Sequence, residues 1–143
     1  MAVTEQVIEK QYALYNGDCV EVMKSFPEKR MDMILFSPPF ADLYCYSDSP
    51  SDLGNCKSYD EFMEHFTFVV EQLVRIIKPG RNCVVHCMDL PAMKERDGYI
   101  GLKDFSGDII RLFQQHGFIY HSRHLIWKDP LTRTWSSAWW QSR

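Results

Sequence analysis

No apolar run in this sequence approaches the roughly 18 residues that a membrane span requires. The amino terminus, MAVTEQVIEKQYALYNGD, lacks the basic start and apolar stretch of a secretory leader, so a cytoplasmic protein with no membrane partner is expected. Excess positive charge is missing as well. A formal net charge of -3 argues against the broad electrostatic footprint of a nucleic-acid coat protein, although a local basic patch is compatible with an acidic average. Basic residues do gather late: from His121 onward, Arg123, Lys128, Arg133 and Arg143 stand against Asp129 alone. The five cysteines, Cys19, Cys45, Cys56, Cys83 and Cys87, contain no close C-x-x-C pair, the spacing that would suggest zinc or a redox dithiol. In NCVVHCMDL, period-2 alternation puts Cys83, Val85 and Cys87 on one strand face, where cysteines behave as small hydrophobes, and no metal site is assigned.

What is present suits one domain over 1–143, with 45% hydrophobic and 24% charged residues. YALYNGD (12–18) reads as a short strand closed by an Asn-Gly turn. DCVEVMKSF then spaces Val20, Met23 and Phe26 for one helical face before Pro27. MDMILF is a nearly continuous apolar run, the mark of a strand covered on both sides, so strand, helix and strand predict a parallel unit. The stretch between Phe40 and Ser58 is polar and aperiodic, a loop of nearly twenty residues carrying Tyr44 and Tyr46. SYDEFMEHFTFVVEQLVRIIKPG predicts a helix capped by Ser58, with an apolar stripe through Phe62, Phe66, Val69, Leu73 and Ile76 and a stop at Lys78-Pro79-Gly80. NCVVHCMDL is the next strand. DFSGDIIRLFQQHGF is a helix capped by Asp104 or Ser106 and ended by Gly117, and FIYHSRHLIW is a final strand. The alternation predicts an α/β fold with a mainly parallel sheet and helices on both faces. Ligands of such sheets bind beyond the carboxyl ends of the strands, where Asp18, Ser37 and Asp89 would share one crevice.

The tetrapeptide Ser37-Pro38-Pro39-Phe40 ends the apolar strand abruptly, because two prolines neither extend a helix nor donate to a ladder. Together with YNGDCVEVMKSFPEKRMDMILF before it, and RIIKPG, NCVVHCMD and GFIYHSRHLIWKD after it, this motif resembles the permuted branch of the DNA amino-methyltransferases, which modify cytosine N4 or adenine N6. The resemblance runs from about Tyr12 to Asp129. It implies a Rossmann-like methyltransferase fold, S-adenosylmethionine as cofactor and DNA as partner, with the target base flipped out of the duplex. It assigns Ser37 and Pro38 as acceptors for the two N–H bonds of the amine, the serine by its side chain and the proline by its carbonyl. Pro39 and Phe40 complete the catalytic motif, with the phenyl ring stacking on the base. Asp18 would accept hydrogen bonds from the adenosine moiety of the cofactor. Asp89 is a helix cap, a loop residue or a ligand, and Trp127 and Lys128 fall where the family has a pocket-lining stretch, the alternatives being core packing for the tryptophan and a solvated lysine. Serine rather than aspartate at the first motif position favours cytosine N4.

The sequence departs from that family in one respect. None of the glycines, at 17, 54, 80, 98, 101, 107 and 117, makes the F-x-G-x-G turn that approaches the cofactor's methionine portion. In the permuted branch that turn follows the matched region, so the fold is expected to be incomplete and truncated before it, with 130–143 an atypical tail carrying three tryptophans. This speaks against methylation by the chain alone and for self-association or a complementary C-terminal segment. Two alternatives stay open. One is a catalytically incomplete remnant that binds nucleic acid or a partner chain, and the other is the same chemistry on RNA or a protein amide.

Overall fold

Ser58 opens the longest element: its hydroxyl accepts from the Glu61 N–H at 3.1 Å and caps a helix at an otherwise unpartnered donor. The structure, a computed structural model, describes residues 3–40 and 52–127. From Ser58 the helix α2 runs Tyr59–Ile76 and buries Phe62, Phe66, Val69, Val70, Leu73 and Ile76. It is numbered after the short helix α1, Cys19–Lys24, whose Met23 packs into the same core. The sequence spacing predicted both helices. Of the polar loop before α2, 41–51 lie outside the described residues, and Leu53–Asn55 form a 3-10 turn.

The strands correct several expectations. Strand β1, Val3–Ile8, precedes β2, Ala13–Gly17, and the two pair antiparallel. β2 therefore belongs to a hairpin and is not hydrogen-bonded to the strand that follows α1. That strand, β3 (Met31–Phe36), pairs in parallel with β4 (Ile77–Val85), and α2 is their crossover. Lys78-Pro79-Gly80 does not separate helix from strand. It bulges inside β4, where Met31 pairs with Ile77 but Met33 with Asn82, and Gly80 supplies a φ of +74°. Asp32 faces the bulge and accepts from Lys78 Nζ at 2.8 Å, with Arg81 Nε at 3.5 Å.

β3 was expected to be covered on both faces. Ile34 and Phe36, with Cys83 and Val85 of β4, do pack against the core built on α2. The other face carries Met33, Leu35 and Val84, and they are 59%, 67% and 40% exposed, because the described helices pack on one side only. The strand expected over NCVVHCMDL is also divided. β4 stops at Val85, and Leu90–Ala92 form β5, antiparallel to β6 (Gly101–Lys103) around the one-turn helix α3 (Lys94–Asp97). Among the described residues, only β3 and β4 thus form a parallel element. Helix α4, Phe105–Gln115, is capped by Asp104, and Gly117 follows it with φ +91°. The final strand over FIYHSRHLIW does not form among the described residues: 118–127 are irregular, without a ladder partner, and Ile119 and Leu125 are each 90% exposed.

Candidate active site

β3 ends where two hydrogen bonds fasten it to the chain just beyond β4. The His86 N–H donates to the Phe36 carbonyl at 2.9 Å, and the Ser37 hydroxyl donates back to the His86 carbonyl at 2.9 Å. Pro38 is buried, and Pro39 and Phe40 are half-buried. The Phe40 ring meets Phe105 edge-on, with centroids 6.4 Å apart and an interplanar angle of 68°. Phe105, the first residue of α4, is fully buried and also touches Phe62 at 5.8 Å and Tyr59 at 6.2 Å. The motif therefore leaves the strand as a proline-stiffened exit with a half-buried ring standing on the core and an exposed serine beside it.

Asp89 is used as a structural acceptor. Its Oδ1 takes the Ser106 N–H at 3.1 Å and the Ser106 hydroxyl at 2.5 Å, and the same hydroxyl accepts from Arg123 at 3.1 Å. Asp89 thus supports the first turn of α4 from outside the helix, whose cap is Asp104. Asp18 lies at the end of β2 and caps α1, with its Oδ1 accepting from Val20 at 2.8 Å and Glu21 at 3.4 Å. The β3 and β4 ends are adjacent, whereas Asp18 sits on the separate hairpin, so hydrogen-bonded strand neighbours do not unite all three residues in one crevice. Trp127 is 88% exposed and takes no part in the core. Lys128, Tyr44 and Tyr46 lie outside the described residues.

The thiols near the site are held protonated. Burial pushes Cys83 up to about 11. Burial raises Cys87 as well, assisted by Asp89 and opposed by Arg123. Tyr59, whose hydroxyl donates to Asp108 at 2.6 Å, is pushed far above its usual range by burial and then by that carboxylate. Nucleophilic thiolate chemistry is disfavoured here, and the groups facing out of the motif are hydrogen-bonding oxygens. Three participants had escaped the sequence reading: the His86 backbone, Phe105 as the seat of Phe40, and the Arg123–Ser106–Asp89 chain. Only the last had a signal, in the polar residues placed at the start of α4.

No protein-family model matches the chain. Over 73 residues, 51% of this chain, it is 29% identical to the type II methyltransferase M.BamHI of Bacillus amyloliquefaciens, covering 16% of that protein. Its structure is similar to that of TTHA0409, a candidate DNA modification methylase of Thermus thermophilus. Against the crystal structure of TTHA0409 complexed with S-adenosyl-L-methionine, the TM-score is 0.55 with 28% identity, over 72% of this chain and 40% of that one. A second TTHA0409 structure gives 0.55 with 25% identity, over 72% and 39%. The chain thus spans well under half the length of the proteins it resembles. What the likeness establishes is the architecture: this chain carries part of a Rossmann-like methyltransferase fold.

Proposed function

We propose that this chain carries the catalytic-motif portion of a DNA amino-methyltransferase, which moves a methyl group from S-adenosylmethionine to the exocyclic amine of a flipped base, cytosine N4 favoured over adenine N6. The observation that carries the reading is the placement of Ser37-Pro38-Pro39-Phe40 just beyond the carboxyl end of a parallel strand pair, with Ser37 exposed and Phe40 half-buried. An amine conjugated to a base ring is a poor nucleophile because its lone pair is delocalised. Donating its two N–H bonds to Ser37 Oγ and the Pro38 carbonyl favours a pyramidal nitrogen, whose lone pair then points away from the acceptors. Proline fixes φ and so pre-aims its carbonyl. The Phe40 ring, backed by Phe105, supports the base by stacking. S-adenosylmethionine, when bound, supplies an electrophilic methyl group. Asp18 suits its adenosine moiety, because both capping bonds fall on Oδ1 and leave Oδ2 to accept. The family-like part is 12–129, a cytoplasmic location accords with it, and the atypical stretch 130–143 lies outside the described residues.

Calorimetric titration with S-adenosylmethionine tests this reading. Asp18→Ala is a poor control because it also removes the cap of α1, a change worth about 1 kcal/mol. Asp18→Ser retains the cap and removes the second acceptor oxygen. Saturable binding by the chain, lost in Asp18→Ser with the fold intact, supports the enzyme, and absence of binding by the folded chain removes the cofactor role. Ser37→Ala should then reduce methyl transfer to DNA by about a hundredfold.

A second reading, a remnant that pairs with itself or with a complementary segment, is favoured by the open apolar face of Met33, Leu35 and Val84. Parallel sheets are normally covered on both faces. Sedimentation of the chain alone distinguishes association from a monomer.

A further inference from the structure

We infer that the His86 carbonyl commits the Ser37 hydroxyl proton, so that Ser37 meets a ligand only as an acceptor and the first motif position requires a side chain that can donate to the protein. The inference rests on the proposed function only in naming the ligand an amine. A serine hydroxyl has one proton and two lone pairs, and its role is ordinarily free. A carbonyl has no proton. At 2.9 Å the hydrogen between Ser37 Oγ and the His86 carbonyl therefore belongs to the serine. The N–H of the same residue is bound to the Phe36 carbonyl at 2.9 Å, which holds His86 beside the end of β3. These bonds tie Phe36 and Ser37 on one strand to His86 beyond the other. Toward the outside, Ser37 presents lone pairs alone. A ligand amine finds an acceptor there, and a ligand carbonyl or ether oxygen finds none of the donors it needs.

The same geometry decides between serine and aspartate. An ionised aspartate at this position would set an oxygen against the His86 carbonyl with no proton between them. Asparagine of nearly the same shape donates through its amide nitrogen. In Ser37→Asp the introduced carboxyl should therefore titrate above its usual value of about 3.9, by about one unit. Because the folded state then favours the protonated form, Ser37→Asp should match Ser37→Asn in stability below about pH 4 and fall behind it as pH rises through the shifted value. The titratable and charged groups nearby in the chain are His86 and Cys87 beyond β4, Asp89 before β5, and Arg123 after α4, the last two joined through Ser106. Only the ionised aspartate feels them as charges, so Arg123 opposes the upward shift of the introduced carboxyl and Asp89 adds to it, and the His86 carbonyl resonance is the readout independent of both.

The test is carbon-13 NMR of the whole chain, with no cofactor or DNA. The introduced carboxyl is titrated in Ser37→Asp, and the His86 carbonyl carbon is followed in wild type, Ser37→Thr and Ser37→Ala. An elevated titration of that carboxyl, with a His86 carbonyl resonance that stays put in Ser37→Thr and moves in Ser37→Ala, is the expected result. An ordinary carboxyl titration with equal stability of the aspartate and asparagine variants at every pH would overturn the proposal. If Ser37→Asp does not fold, a His86 carbonyl resonance unchanged in Ser37→Ala overturns it alone. Loss of the methyltransferase reading would leave both spectra as they are, so the two failures are distinguishable.

Discussion

The guanidinium of Arg75, on α2, donates to the Met23 carbonyl at 2.6 Å and to the Phe26 carbonyl at 2.8 Å, at and just beyond the carboxyl end of α1. Its Nε also binds Gln72 at 3.0 Å, so the fork is held in one orientation. Because these are charge-assisted bonds to groups that end a helix, Arg75→Ala should destabilise the chain by about 2–3 kcal/mol in chemical denaturation. Arg75→Lys should recover only part of that, since an ammonium lacks the planar fork. Cys83 offers a second residue-scale check. With its thiol pushed up to about 11 by burial on the core face of β4, labelling at about pH 8 should be slow in the native chain and fast in denaturant. Rapid native labelling would contradict the packing of that face.

At the scale of elements, α2 and α4 were legible because their signals are local: Ser58 and Asp104 cap them, and the apolar stripes recur at helical spacing. Gly107 has a function that no spacing rule predicts. A Cβ built there would collide with the Asp104 carboxylate, so the glycine makes room for the cap that accepts its own N–H at 3.0 Å. Gly107→Ala should therefore lower the melting temperature by weakening the cap, worth about 1 kcal/mol, despite the better helix propensity of alanine. The β1–β2 hairpin was illegible because its turn, closed by the Glu9 N–H on the Tyr12 carbonyl at 2.8 Å, is built from Glu9, Lys10, Gln11 and Tyr12 without Gly, Pro or Asn. The lobe of β5, α3 and β6 depends instead on Asp97. Lys103 first, then the Met93 N–H and Arg96, hold that carboxyl down to about 2. A depressed carboxyl contributes stability above its unfolded value, and the contribution disappears as pH falls toward about 2. Hydrogen-exchange protection factors in Leu90–Lys103, corrected for the intrinsic rate at each pH, should fall on acidification over that window, and Asp97→Asn should remove that loss of protection.

For the molecule as a whole, the motif was found from its sequence, while the surroundings of its strand were not. MDMILF is apolar on both sides, and the pattern alone does not tell which side the described helices reach. The His86 contact was hidden for another reason: a backbone carbonyl leaves no mark on side-chain identity. If Met33, Leu35 and Val84 drive association, Leu35→Glu should lower the sedimentation coefficient at high concentration and leave unfolding by denaturant nearly unchanged, since Leu35 is 67% exposed. The bulge at the opposite end of the strand pair from the motif has a further consequence. Asp32 with Lys78 fixes one end of the alignment, and His86 with Phe36 and Ser37 fixes the other. Sliding β3 by one residue would break both fastenings and exchange its two faces, turning Ile34 and Phe36 outward. A misaligned pairing is therefore penalised at both ends at once, and a folding chain that closes the salt bridge has already chosen the side on which Ser37 will emerge.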